Sequence, residues 1–243
     1  MKKLLAILLA VPVLAFAAEG EAPLQRAPID SHDRASLQRG AAIFVNHCLN
    51  CHSAGMMRYN RLTDLGLTEK QIQQDLLFTT DKVGDTMVSA MDPKIAKAAF
   101  GVVPPDLSLA ARSRSADWLY TYLRSFYRDP KSKTGWNNAI FPNVAMPHVL
   151  WEYQGTQVLQ VTERKDPESG EEHATRKLVV EAPGKLTPVQ YDQYVADLVN
   201  YLDWMGEPAQ SERHMWGVFV LLFLAIFFIL TLLLKTEYWK DVR

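Results

Sequence analysis

The spacing of apolar residues predicts that the body of the chain is mainly helical. Apolar side chains recur three and four positions apart ahead of Cys48, which predicts a helix over residues 36–47. The same spacing predicts helices over residues 68–80, 115–127 and 191–204. Gly40 and Phe44, four residues apart, share one face of the first helix.

One later stretch has the pattern of a β-hairpin. Apolar residues at positions 158, 159 and 161 face those at positions 178–180 across the turn-forming residues 166–170. We therefore expect an exposed hairpin over residues 157–181. Its charges are mixed, which favours a solvated hairpin over a partner-docking surface.

Residues 1–17 have the features of a cleaved secretory signal peptide. Lys2 and Lys3 precede an apolar stretch, and Ala15 and Ala17 provide a small-x-small cleavage site. The apolar stretch is too short to span a hydrocarbon core of ~30 Å comfortably, which disfavours an uncleaved anchor. We expect the mature chain to begin near Ala18 and to be exported.

A second apolar run near the C-terminus predicts a transmembrane helix over residues 213–235. Residues 215–234 contain no charged side chain, and at ~1.5 Å per residue they span about one bilayer core. Basic residues follow the run, as is typical of a cytoplasmic end. We therefore expect residues 18–212 to form a periplasmic domain of a bacterial inner-membrane protein, with residues 236–243 as a cytoplasmic tail.

The charge of the exported part is mildly acidic. The whole chain has a formal net charge of −1. Without Lys2, Lys3 and the tail from Lys235 onward, 21 basic and 25 acidic residues remain, a net charge of −4. This balance argues against nucleic-acid binding and is compatible with a basic protein partner.

The two cysteines of the chain form a motif that is typical of covalent haem attachment. Cys48, Cys51 and His52 make the pattern C-x-x-C-H. Two thiols one helical turn apart can each add to one vinyl group of a porphyrin, and the histidine that follows can bind the iron. A disulfide or a thioredoxin-like redox pair is the alternative, although a redox pair usually opens a helix after a strand. We expect one covalently attached haem c.

A second axial ligand is expected on the opposite face of the haem. Met146 lies in a segment that contains Pro142 and Pro147 and has no helical period, and such a stiff loop can hold a thioether at a defined distance from iron. Met56 and Met57 are too close to His52 in sequence to fold over the opposite face. The other candidates are Met87, Met91, Met205, Met215, His148, His173 and His214. A methionine that only fills space in the core remains the alternative for Met146.

Several landmarks, in order along the chain, resemble those of the cytochrome c1 family. After the haem motif come Arg58 and Tyr59, and then the distinctive stretch P-P-D-L-S-L at residues 104–109. The loop around Met146 and the C-terminal anchor complete the pattern. The resemblance covers most of the mature chain and implies a cytochrome c-like haem domain with insertions, including the β-hairpin, plus one transmembrane helix.

The resemblance also implies roles for individual residues. Met146 would be the sixth ligand, Pro105 would line the haem, and Arg114 would reach a haem propionate. Trp118 stands where the family commonly has a tyrosine near the haem, which keeps an aromatic wall and removes a phenol. In c-type cytochromes a pair such as Gly40 and Phe44 often packs on the last helix, which here would be the helix over residues 191–204; ordinary core packing is the alternative.

The function implied by the resemblance is a one-electron relay within ubiquinol–cytochrome c reductase. Electrons would arrive from the Rieske iron–sulfur subunit and leave to cytochrome c, beside cytochrome b in a dimeric membrane complex of the respiratory chain. The isolated chain would not be an enzyme. Two rivals are an anchored cytochrome c that serves another partner and a haem-based gas binder with an open sixth site.

Overall fold

The computed structural model describes residues 23–165 and 172–241. The predicted signal peptide, residues 1–17, and the predicted hairpin turn, residues 166–170, lie outside the described residues. Within them the protein is mainly α-helical, with three small antiparallel strand pairs and one long apolar helix at the C-terminus. The predicted fold class is confirmed.

The first helix delivers the cysteine motif. Helix α1 spans Arg34–Ile43, and the side chain of Asp33 accepts a hydrogen bond from Ser36 N at its start. The chain then continues into a wider helical turn over Phe44–Cys48. This agrees with the helix that was predicted over residues 36–47.

The longest helix that precedes the C-terminal apolar helix packs across α1. Helix α7 spans Pro188–Gly206 and begins with a capping box between Thr187 and Gln190. A Cβ atom on Gly40 would lie 2.0 Å from the carbonyl oxygen of Asp197, so only glycine permits this approach. The ring of Phe44 lies 5.7 Å from that of Tyr201. The predicted packing of Gly40 and Phe44 on this helix is confirmed.

The remaining elements of the domain are shorter. A 3-10 helix covers Tyr59–Leu65. The other short helices are α2 (Glu69–Asp75), α3 (Pro93–Phe100), α4 (Ala110–Arg114), α5 (Ala116–Arg124) and α6 (Trp151–Gln154). Strand β1 (Ala54–Arg58) pairs with β2 (Thr86–Met87), and β3 (Phe126–Arg128) pairs with β4 (Trp136–Asn138). Helix α3 was not predicted, although Asp92 caps its start and Pro93 occupies its first turn.

Two predicted helices are shorter than expected. The helix over residues 68–80 ends at Asp75, and the hydroxyl of Tyr59 instead pairs with that of Thr79 at 2.9 Å in the following loop. The helix over residues 115–127 ends at Arg124, because Phe126–Arg128 forms strand β3 against β4. At this second helix, the pairing of β3 with β4 outweighs the local helical pattern.

The predicted β-hairpin is present. Strand β5 (Gly155–Lys165) pairs with β6 (Glu172–Pro183), and Val158 lies opposite Val179. The side chain of Gln157 ties the base of the hairpin to the domain by donating to the carbonyl oxygens of Arg124 and Phe126, at 3.1 and 3.0 Å.

The C-terminal helix extends away from the rest of the chain. Helix α8 spans Gln210–Tyr238, and residues Glu212–Tyr238 are long and apolar enough to cross a membrane. Its large apolar side chains are exposed. The helix is longer at both ends than the predicted span of residues 213–235.

Candidate functional site

The cysteine motif closes the wide turn after α1. The backbone N–H groups of Cys51 and His52 both donate to the carbonyl oxygen of Cys48, at 3.0 and 2.8 Å. Both thiols are free, and burial raises the pKa of each, that of Cys48 to about 12. A redox-active pair needs a thiol with a lowered pKa, so these surroundings disfavour a thiol–disulfide function.

The imidazole of His52 is oriented by one hydrogen bond. Its Nδ1 lies 2.7 Å from the carbonyl oxygen of Pro105. A carbonyl can only accept, so Nδ1 carries the proton and Nε2 keeps its lone pair. Burial lowers the pKa of His52, which favours the neutral ring. A neutral imidazole with one nitrogen held by a carbonyl is the usual arrangement of a metal-binding histidine.

The segment of Pro105 is bound to the chain just after the cysteine motif. Asp106 accepts hydrogen bonds from the N–H groups of Gly55 and Ser108, at 2.7 and 2.8 Å. The hydroxyl of Ser108 accepts from Met56 N at 3.0 Å. These contacts hold the Pro105 carbonyl within hydrogen-bonding distance of His52 Nδ1. Asp106 and Ser108 were not predicted from the sequence as site residues, although both lie in the P-P-D-L-S-L stretch.

The loop that carries Met146 is held by two asparagines of strand β4. The side-chain oxygen of Asn138 accepts from the N–H groups of Ile140 and Phe141, at 3.0 and 3.2 Å. That of Asn137 accepts from Asn143 N at 2.8 Å. Met146 itself is half-buried, and its sulfur lies 3.4 Å from the hydroxyl oxygen of Tyr122. The loop has no helical structure, as predicted.

Several other candidate ligands occupy different surroundings. Met87 is fully buried, and its sulfur lies 3.7 Å from the hydroxyl of Tyr201. Met205 is also in the core. His148 is stacked on Phe126 at 4.8 Å, and burial lowers its pKa to about 4. The side chain of His173 lies outside the described part of the chain. Met146, by contrast, lies beside the rings of Trp118, Tyr122 and Phe141.

Arg114 and Trp118 belong to the same aromatic cluster. The guanidinium of Arg114 lies 5.1 Å from the ring centre of Trp118 and 5.9 Å from that of Phe141. The ring of Trp118 is stacked on that of Tyr122 at 4.7 Å. Arg114, Trp118 and Met146 are thus brought together through Tyr122 and Phe141. Tyr122 was not predicted from the sequence as a site residue, although it lies four residues after Trp118 on the same helical face.

The predicted site residues therefore fall into two groups that one segment connects. Cys48, Cys51, His52 and Pro105 form the first group; Arg114, Trp118 and Met146 belong to the second. Residues 105–114 run from the first group to the second. Two free thiols could attach a c-type haem, and an imidazole with an available Nε2 and a thioether are groups that could bind its iron.

A comparison of the sequence with protein families identifies the chain. The Cytochrome C1 family matches residues 24–163 and 184–242. The chain belongs to the cytochrome c1 family. Family membership makes it a cytochrome subunit of the bc1 complex and an electron-transport protein, and it implies a c-type haem. Together with the apolar helix α8, it also makes the chain a single-pass membrane protein.

Individual relatives agree over nearly the whole chain. "Cytochrome c1" of Allochromatium vinosum is 48% identical over 246 residues, 100% of both chains. "Cytochrome c1" of Rhodospirillum rubrum is 26% identical over 240 residues, 87% of this chain and 84% of that protein. The "Ammonia monooxygenase gamma subunit" of Nitrosomonas europaea is 52% identical over 240 residues, 99% of this chain and 97% of that protein. The last name is that of the Nitrosomonas protein, and assignment to the cytochrome c1 family rests on the other matches.

Proposed function

We propose that this cytochrome c1 relays single electrons from the Rieske iron–sulfur protein to cytochrome c. One haem is attached covalently through Cys48 and Cys51, with His52 and Met146 as its axial ligands. The hydrogen bond from His52 Nδ1 to the Pro105 carbonyl carries this proposal, because it places the ring proton on Nδ1 and leaves the lone pair of Nε2 available to iron.

Each residue has a separate task in this relay. When bound, the haem supplies the reversible one-electron change between ferric and ferrous iron. Asp106 holds the Pro105 carbonyl and thereby the imidazole of His52. Trp118 and Phe141 provide an apolar wall that excludes water. Arg114, which lies against both rings, is placed to pair with a propionate carboxylate.

The chain acts as a subunit and does not catalyse a reaction alone. Its tasks are to ligate, orient and shield a redox centre, and none of them requires a nucleophile or a general base. Quinol oxidation belongs to the assembled complex with cytochrome b and the Rieske protein. We propose that the complex is dimeric.

The proposed location follows from the two terminal segments. A signal peptide over residues 1–17 exports the chain, and the haem domain of residues 18–212 lies in the periplasm of a bacterium. Residues 213–235 cross the inner membrane, and residues 236–243 remain in the cytoplasm, consistent with their basic side chains.

Substitution of the proposed sixth ligand tests the relay against the gas-binding rival. Met146→Ala in the purified complex should open the sixth site, lower the reduction potential and allow rapid carbon monoxide binding to ferrous haem. Met56→Ala is the matched control, because Met56 lies close to the cysteine motif but is 76% exposed. Rapid carbon monoxide binding by the wild-type protein would contradict six-coordination.

Purification through the C-terminus tests the partners. A tag after Arg243 should retrieve a haem-containing chain together with cytochrome b and the Rieske protein from detergent-solubilised membranes. Retrieval of the haem-containing chain without those two subunits would favour the stand-alone cytochrome instead.

A further inference from the structure

The side chain of Tyr122 forms a hydrogen bond to the sulfur of Met146. Its hydroxyl oxygen lies 3.4 Å from Sδ, within the range of a hydrogen bond to sulfur. A thioether has no proton to donate, so the tyrosine O–H must be the donor.

The ring of Tyr122 has little freedom to move. It is stacked on Trp118 at 4.7 Å and meets Phe126 edge-on at 5.0 Å. Only 8% of the residue is exposed. The contact with Met146 is therefore imposed by the packing of helix α5 rather than by a mobile side chain.

The backbone of Tyr122 is tied to the same asparagine that holds the methionine loop. Asn138 donates from Nδ2 to the carbonyl oxygen of Tyr122 at 2.8 Å, and its Oδ1 accepts from the N–H groups of Ile140 and Phe141. Asn138 is fully buried. One amide side chain thus sets the position of the donor and that of the loop that carries the acceptor.

We propose that Tyr122 is a positioning residue that sets the reduction potential of the centre through its hydrogen bond to Met146 Sδ. This inference rests on the proposed function, in which Met146 is an axial ligand. A hydrogen bond to the sulfur withdraws electron density from the thioether and places the positive end of the O–H dipole toward the iron. Both effects favour the ferrous state, so the hydrogen bond raises the potential.

The first test is Tyr122→Phe in the purified complex, which keeps the ring and removes the hydroxyl. The ferrous-to-ferric equilibrium should move toward ferric by about three- to tenfold, which for a one-electron couple is a fall of ~30–59 mV. The sulfur-to-ferric-iron charge-transfer band should shift but persist. An unchanged potential with that band intact would overturn the inference.

Tyr120→Phe is the matched control on the same helix. Tyr120 is also buried, and its ring lies 4.6 Å from the guanidinium of Arg124, away from the methionine. Its substitution should leave the potential and the charge-transfer band unchanged. An equal fall of potential in both variants would mean that helix α5 had been perturbed as a whole, which would contradict a specific role for Tyr122.

A second substitution keeps the inference testable if Tyr122→Phe does not accumulate. Site-specific incorporation of 3-fluorotyrosine at position 122 makes the hydroxyl a stronger donor, so the potential should rise. A residue that only fills space gives no such rise, and its absence would overturn the inference. Failure of the proposed function is recognised separately, because Met146→Ala would then leave the haem spectrum unchanged.

Discussion

The imidazole of His52 is held by one hydrogen bond, and the carbonyl that accepts this bond is itself positioned by Asp106. Burial opposes ionisation of the Asp106 carboxyl, but the hydrogen bonds from Ser108 and Gly55 outweigh it and lower the pKa. A carboxylate that accepts backbone N–H groups is therefore the residue that links the cysteine motif to the Pro105 segment. Its charge state bears directly on the orientation of His52, the proposed iron ligand.

Asp106→Ala should lower the free energy of unfolding by about 1–2 kcal/mol, because two backbone donors lose a charged acceptor. Chemical denaturation of the detergent-solubilised protein, followed by tryptophan fluorescence, measures the loss. Since the pKa of Asp106 is lowered in the folded state, its stabilisation is complete at neutral pH and disappears as the pH falls through that value.

Asp81→Ala is the control for this residue, because Asp81 is exposed in a loop. It should leave the unfolding midpoint unchanged. If Asp106→Ala were as stable as the wild type at neutral pH, the carboxylate would not be what holds the segment.

At the scale of elements, two close contacts shape the site. Helix α1 reaches α7 at Gly40, and this contact sets the position from which the cysteine motif leaves. Strand β4 holds the methionine loop through Asn137 and Asn138. The haem motif and the methionine loop are therefore positioned by different elements. The core that α1, α5 and α7 share fixes the positions of these elements relative to one another.

Gly40→Val should destabilise the protein by about 3 kcal/mol or more, because even a Cβ atom would overlap the Asp197 carbonyl and Tyr201. The expected result is poor accumulation of haem-containing protein in membranes, measured by haem staining of denaturing gels. Gly84→Ala is the control, since nothing lies within 4 Å of its Cβ position. Normal accumulation of Gly40→Val would contradict the close packing of the two helices.

Asn138→Ala should loosen the methionine loop without removing the methionine. The substitution leaves the Tyr122 carbonyl and the N–H groups of Ile140 and Phe141 without their partner, at a cost of about 1–3 kcal/mol. Imidazole should then displace the sixth ligand of ferric haem at lower concentration. Asn46→Ala, in an exposed position on the first helical segment, should titrate like the wild type.

At the scale of the whole molecule, Glu207 connects helix α4 of the domain with the C-terminal helix α8 through ion pairs. It lies between α7 and α8 and forms ion pairs with Arg112 of α4 and, at 2.5 Å, with Arg213 of α8. The hydrogen bond from Arg213 lowers the pKa of Glu207 against the opposing effect of desolvation, and Arg112 contributes in the same direction. The pairs therefore persist at neutral pH and are lost as the pH falls through the lowered pKa of Glu207.

Glu207→Gln imitates the protonated state at neutral pH and should release Arg213. Trypsin should then cut after Arg213 several-fold faster in the detergent-solubilised protein, as measured by the appearance of the separated domain on gels. Glu212→Gln, one residue before Arg213 and exposed, is the matched control. Equal cleavage rates in both variants would show that the Glu207 ion pairs do not restrain the junction.

The sequence by itself determined the features that depend on local order along the chain. The spacing of Cys48, Cys51 and His52 is set by covalent chemistry, and helical periodicity and long apolar runs reflect the transfer of side chains out of water. These were enough to predict the first and last helices of the domain, the hairpin and the membrane helix. Local periodicity failed where pairing of distant residues outweighed it, as at the end of α5.

The tertiary structure decided which distant residues meet. The contacts of His52 with Pro105, of Tyr122 with Met146 and of Asn138 with the Tyr122 carbonyl join positions that are 53, 24 and 16 residues apart. It also placed Met87 and Met205 in the core and Met146 beside the aromatic cluster. Contacts between distant residues depend on how whole elements pack, because the shape of the assembled core decides which side chains become neighbours. Such contacts produce no periodic pattern in the sequence, so periodicity cannot predict them.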